Sequence, residues 1–119
     1  MTAIKEASTI QENKRIALQQ CPVTFVMERI GNYWKPIILY HLIVGPKRYG
    51  ELKRAVPAIT EKVLIQQLKQ LEADGIIIRE SKPVVPPFVV YSLSNSGRGL
   101  LPVIDAMAHW ATGVMEANE

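Results

Sequence analysis

Between Thr60 and Gly75, Leu64, Leu68 and Leu71 recur at helical spacing, and Lys62, Ile65, Gln66 and Lys69 fall on the opposite face. The pattern predicts a helix. Thr60 is suited to its N-cap, where a hydroxyl accepts from a free backbone N–H, and Gly75 to its C-terminal stop. Before it, Met1–Gln20 carries Ile4, Ile10, Ile16, Ala17 and Leu18 without a clean period, so a helix is expected only from about Ile10 to Leu18. Pro22 opens the next helix, at the position where a missing N–H costs nothing. Val23, Val26, Met27 and Ile30 give it an apolar stripe, and Gly31-Asn32 ends it. A third helix starts over Tyr33–Pro36. Ile37, Ile38, Leu39, Leu42, Ile43 and Val44 make it apolar nearly all round, the expected buried centre of the domain. Gly45-Pro46 stops it.

Arg48–Val56 reads as a short helix with Tyr49, Leu52 and Val56 inward and Lys53 and Arg54 outward, ended by Pro57. Two helices joined by a short turn, the second with a polar outer face, form a helix-turn-helix. Ile76–Lys82 and Phe88–Leu93 then read as antiparallel strands around the stiff loop Pro83–Pro87. A hairpin in that position is a wing. After Ser94 the pattern returns to helix. Leu101, Ile104, Ala108, Ala111 and Met115 form one seam, and Leu100, Val103, Met107, Trp110 and Val114 an adjacent one. Two seams exceed what a small domain buries on one flank, so a partner helix is expected, with Leu101, Ile104, Met107, Ala108, Trp110, Ala111, Val114 and Met115 at a dimer interface. Burial of both seams within the monomer is the alternative. Pro102 should kink this helix or mark its start. The expected class is mainly α with a small β-hairpin: a winged helix-turn-helix with a C-terminal dimerisation helix. Its parts would be an arm (1–20), the winged domain (21–93) and a dimerisation helix (94–119), compact overall.

At 119 residues, 48% hydrophobic and 21% charged, the chain fits one folded domain. The net charge of +3 is unevenly spread. Between Lys47 and Lys82 stand eight basic and five acidic residues, and the remainder balances. The excess therefore surrounds the polar-faced helix, the footprint of an anion-binding module. Nothing in Met1–Gln20 reads as a signal peptide, and Ile37–Val44 is far short of the roughly 20 residues a bilayer span needs. The expectation is a cytoplasmic protein without membrane contact. One cysteine excludes an internal disulfide and a cysteine-based zinc cluster. His41 and His109 lie in no motif with a nucleophile or metal-ligand spacing, and no glycine-rich phosphate loop is present. Neither an enzyme nor a cofactor or metal is expected.

Several stretches carry a family. They are Cys21-Pro22-Val23, Gly31 with Trp34-Lys35, Gly45–Tyr49 with Glu51-Leu52, Leu64–Leu68, Leu71-Glu72 with Asp74-Gly75, Val85–Pro87, Tyr91–Leu93, Gly97-Arg98 and Leu100–Val103. In this collinear order, from about Cys21 to Trp110, the chain resembles the HxlR-type (DUF24) winged-helix transcriptional regulators, relatives of the MarR group. The resemblance implies a homodimeric prokaryotic regulator that binds double-stranded DNA at an inverted repeat. Carried over, Thr60–Asp74 is the recognition helix, and Lys62, Ile65, Gln66 and Lys69 are the major-groove candidates. Lys35, Lys47, Arg48 and Thr60 would contact phosphate, and Arg79 and Lys82 would flank the wing. The dimer would form through the terminal and N-terminal helices. Two positions depart from the family: Tyr33 replaces a usual basic residue, and the wing tip lacks charge. They leave a second function class open, a winged-helix module for protein or ligand binding with degenerate DNA contact.

Cys21, beside a helix N-terminus whose dipole favours a thiolate, is the candidate sensor. Regulators resembling this chain use a cysteine here against oxidants, quinones or aldehydes, which would make such a compound the inducer. A buried, inert thiol is the alternative.

Overall fold

A computed structural model of the chain describes residues 11–13 and 21–118. Residues 1–31 and 32–119 form two separate compact units. In the first, residues 11–13 are helical, within the helix expected from about Ile10 to Leu18; the rest of that stretch lies outside the described residues. Helix α1 spans Pro22–Ile30, with Cys21 extended at its N-cap and Pro22 in its first turn. Gly31 closes it, its N–H donating to the Met27 carbonyl at 2.8 Å. A Cβ at Gly31 would lie 2.2 Å from that same oxygen, so the stop requires glycine.

The second unit begins with α2 (Trp34–Ile43). Ile38, Leu39 and Leu42 are buried, but Tyr40 is about half exposed and Val44 is 83% exposed. The expectation of burial nearly all round therefore fails at two places. Tyr40 points off the buried stripe. Val44 lies beyond the helix, because Gly45 takes φ 157 and turns the chain away, its N–H held by the Leu42 carbonyl.

Lys47–Arg48 forms a two-residue strand, β1, and α3 follows as Tyr49–Ala55. The sheet thus has three strands rather than the expected two, in the order β1-β3-β2. Two residues carry no period, so nothing in the pattern announced this strand. Glu51 accepts from the Arg48 N–H at 2.8 Å, which starts α3 one residue after Arg48 instead of at it. Leu52 and Val56 turn inward.

Helix α4 spans Glu61–Ala73. Thr60 caps it, Oγ1 accepting from the Val63 N–H at 3.2 Å. Leu64, Leu68 and Leu71 are at most 1% exposed. Each such burial contributes about 2 kcal/mol, enough to decide which face of α4 points in. Gly75, at φ 71, takes the left-handed conformation that turns the chain into the sheet.

Strands β2 (Ile77–Lys82) and β3 (Phe88–Leu93) pair antiparallel from Ile77↔Leu93 to Lys82↔Phe88. The loop between them projects Val85 fully into solvent. Ser94 caps the short α5 (Asn95–Arg98), and its hydroxyl donates back to the Gly75 carbonyl at 2.6 Å. Helix α6 spans Leu101–Ala117, with Pro102 in its first turn, so the proline marks a start and not a kink. α6 packs against α2. The helices, the sheet and the wing make this a winged helix-turn-helix.

Candidate nucleic-acid interface

The leucine stripe of α4 leaves its other side to solvent, and Lys62, Ile65, Gln66 and Lys69 all stand there exposed, with Thr60 exposed at the cap. Two ammonium groups, a carboxamide and an aliphatic side chain within two turns form a surface able to meet phosphate, an adenine edge and a thymine methyl.

The strand register sorts the wing cations onto two faces. Arg79 and Lys47 both lie opposite Tyr91, on the face that carries the buried Ile77 and Leu93. That face meets α4 across a cleft of about 310 Å³ lined by Ile65, Lys69, Glu72, Arg79 and Tyr91. Arg48 lies opposite Val90 and Lys82 opposite Phe88, on the other face. The Arg48 guanidinium covers the Phe88 ring at 3.7 Å from its centroid, a diagonal cross-strand contact. Lys82 pairs with Glu80 at 2.6 Å. Arg79 therefore joins α4, whereas Lys82 is partly neutralised away from it. An odd sequence separation of three puts two strand residues on opposite faces.

Lys47 is half-buried, its Nζ donating to the Gly45 carbonyl at 3.4 Å. Lys35 is only 6% exposed. Its backbone N–H and that of Trp34 donate to Asn32 Oδ1, at 2.8 and 3.1 Å. A phosphate contact from Lys35 would involve the tip of the side chain alone.

Three features of the site were not anticipated. Asn32 Nδ2 donates to Gln67 Oε1 at 2.5 Å, tying the loop before α2 to the inner flank of α4. A glutamine inside a leucine stripe was the available signal. The Arg48–Phe88 stack could have been found only from the register. The Tyr49 hydroxyl is enclosed next to the Glu61 carboxylate. Desolvation first, and then the neighbouring Glu61 carboxylate, raises its pKa.

On α6, Ile104 is buried and Leu101, Ala108 and Ala111 are half-buried. Val103, Met107, Trp110, Val114 and Met115 are exposed, Trp110 by 71%. The first seam thus packs inward over most of its length, and the second is left open. In the first unit, Cys21 is an exposed free thiol. The Thr24 backbone N–H, followed by the Thr24 hydroxyl and the Val23 N–H, lowers its pKa below the ordinary thiol value. Among the described residues no group of three His, Cys, Asp or Glu could hold a metal ion, and no helix is long and apolar enough to cross a membrane.

Comparison with known proteins agrees with this architecture. The family model for HxlR-like helix-turn-helix proteins matches residues 29–119. The uncharacterized HTH-type transcriptional regulator YybR of Bacillus subtilis (strain 168) is 45% identical over 107 residues, covering 90% of this chain and 82% of that protein. The redox regulator HypR, in its oxidized form, superimposes with a TM-score of 0.76 at 47% identity, over 78% of this chain and 96% of its own. The reduced transcriptional regulator YodB from B. subtilis does so with a TM-score of 0.69 at 34% identity, over 77% of this chain and 91% of its own.

Proposed function

The chain belongs to the HxlR-like helix-turn-helix family of transcriptional regulators, and from that premise we propose that it binds double-stranded DNA as a homodimer at an inverted repeat. The observation that carries this reading is the free face of α4, where Lys62, Ile65, Gln66 and Lys69 stand exposed while the leucines behind them are buried. With α4 in the major groove, Gln66 pairs with an adenine edge and Ile65 meets a thymine methyl. Lys62 and Lys69 take bases or phosphates. Thr60, Lys47, Arg48 and the tip of Lys35 hold the backbone, and Arg79 and Lys82 approach it from the wing. The open α6 seam, Val103, Met107, Trp110 and Val114, supports pairing with a second copy. Leu101, Ile104, Ala108 and Ala111 would back that interface, and Met115 would extend it. Such a regulator acts in the cytoplasm of a prokaryotic cell and requires no catalytic step.

Cys21 extends the proposal to control by oxidants or electrophiles. It is exposed, sits at a helix N-terminus, and has a lowered pKa, the setting of a reactive thiolate. HypR is named a redox regulator. With one cysteine per chain an intramolecular disulfide is excluded, and the available products include an intersubunit Cys21–Cys21 disulfide, a mixed disulfide and an alkylated thiol. In the first, two thiols lose two protons and two electrons to an oxidant such as a quinone. Cys21→Ser is expected to keep DNA binding and lose oxidant-induced release; release that persists in this variant would sink the sensor assignment.

The function is tested by selecting tight binders from a random duplex pool and footprinting the winner. The expected site has two symmetric halves about one helical turn apart, roughly 34–36 Å. Recovery of no consensus would leave the winged-helix fold as a protein- or ligand-binding module.

A further inference from the structure

The leucine stripe decides which side of α4 faces inward, but the apolar driving force is itself non-directional, whereas a hydrogen bond constrains angle. Base reading needs more. Side-chain tips lie about 6 Å from a helix axis, so a rotation of about 10° moves the Gln66 carboxamide by about 1 Å. Productive hydrogen-bond geometry tolerates only about 0.5 Å. A directional contact on the inner flank would hold the helix to that tolerance, and one is present next to Gln66.

Gln67 is 8% exposed, the only uncharged polar side chain among the buried residues described. Its Oε1 accepts from Asn32 Nδ2 at 2.5 Å. Asn32 cannot swing to follow it, because its Oδ1 already accepts the Trp34 and Lys35 N–H groups at the start of α2. That double acceptance fixes which end of the Asn32 amide is oxygen, so the donor must point at Gln67. The two free ends of one amide thus couple the first turn of α2 to the middle of α4.

We infer that Asn32 and Gln67 are positioning residues that set the rotational phase of α4 for base reading, on the assignment of α4 as the recognition helix given above. They touch no base. Their effect is confined to contacts that depend on angle. Direct readout by Gln66 and Ile65 depends on it strongly, and the attraction of Lys62 and Lys69 to phosphate only weakly. Loss of the link should accordingly lower affinity for the operator more than for unrelated DNA.

Asn32→Ser separates the link from the cap, since a serine hydroxyl can still accept from the start of α2 but falls short of Gln67. Asn32→Asp restores both, because the Gln67 amide can turn to donate to the carboxylate. Anisotropy titrations would compare these variants and Gln67→Leu with the unaltered protein, on the selected operator, on single-base operator variants and on a shuffled duplex. Asn32→Ser and Gln67→Leu are each expected to weaken operator binding about three- to tenfold, to leave shuffled binding within about twofold, and to keep the salt slope. Asn32→Asp should recover most of the loss, and the double variant should be no worse than either single one. Operator discrimination unchanged in Asn32→Ser would overturn the inference while leaving the recognition helix in place. Equal losses on operator and shuffled DNA would overturn it too, as would failure of Asn32→Asp to recover binding. If the unaltered protein itself shows no discrimination, the assignment of α4 falls and the inference with it.

Discussion

Helices α4 and α6 are built alike and finished differently. Each buries one face through aliphatic side chains, Leu64, Leu68 and Leu71 on α4 and Ile104 on α6. Each leaves the opposite face open. On α4 that face holds lysines and a glutamine, which water satisfies without a partner. On α6 it holds Val103, Met107, Trp110 and Val114, which water does not. Geometry makes a surface available, and side-chain chemistry decides what completes it. In our proposal a polyanion completes α4 and a second copy of the chain completes α6.

The sharpest way to break this contrast is to place charge on the apolar face. Met107→Glu with Trp110→Glu is expected to leave the fold intact, since both sites are exposed, and to give a monomer by light scattering. Operator binding should fall by more than about a hundredfold, because two half-site contacts become one. A variant that stays dimeric would show that the α6 face is not the interface. Next in size come substitutions on α4. Gln66→Ala should cost about 1–3 kcal/mol on the operator and relax specificity at one base pair. Lys69→Ala should instead weaken all sequences alike and lower the salt slope by about one. A competition titration against single-base variants separates the two patterns.

Helix caps give smaller effects and extend the comparison to α1. Thr60 and Cys21 both occupy N-caps, one with a hydroxyl bound to the helix and one with an exposed thiol. Thr60→Ala should reduce stability by about 1 kcal/mol in a denaturant melt, with little change in dimerisation. For Cys21 the lowered pKa means that more thiolate is present near neutrality. The alkylation rate should therefore reach half its plateau at a pH below that of free cysteine. A midpoint at or above that value would remove the argument for a poised sensor.

The helices and the wing were legible because each is marked by a period or by punctuation. Thr60 and Gly75 bracket α4, Pro22 and Gly31 bracket α1, and β3 begins directly after the loop Pro83–Pro87 and ends at Leu93, before the Ser94 cap. Strand β1 was not legible, since two residues have no period and its partner lies some forty positions away in sequence. The site divides in the same way. The exposed set on α4 follows from the helical repeat alone. The placing of Arg79 toward α4 and of Arg48 and Lys82 away from it depends on strand register, which the stiff loop at Pro83–Pro87 does not specify by itself. The burial of Lys35 and the Asn32–Gln67 contact are tertiary: the leucine stripe marks Gln67 as inward, but no local pattern marks Lys35 as buried or Asn32 as the partner of Gln67.

The most direct test is fluorescence anisotropy on the DNA upstream of the gene for this protein, beside a shuffled duplex of equal composition, across a salt series. Binding as a two-headed, base-reading dimer predicts tight association with the native duplex, a steep fall with salt, and a wide gap over the shuffled control at every salt concentration. Equal and weak binding to both duplexes would contradict it, and the polar face of α4 would then be no more than a solvated surface.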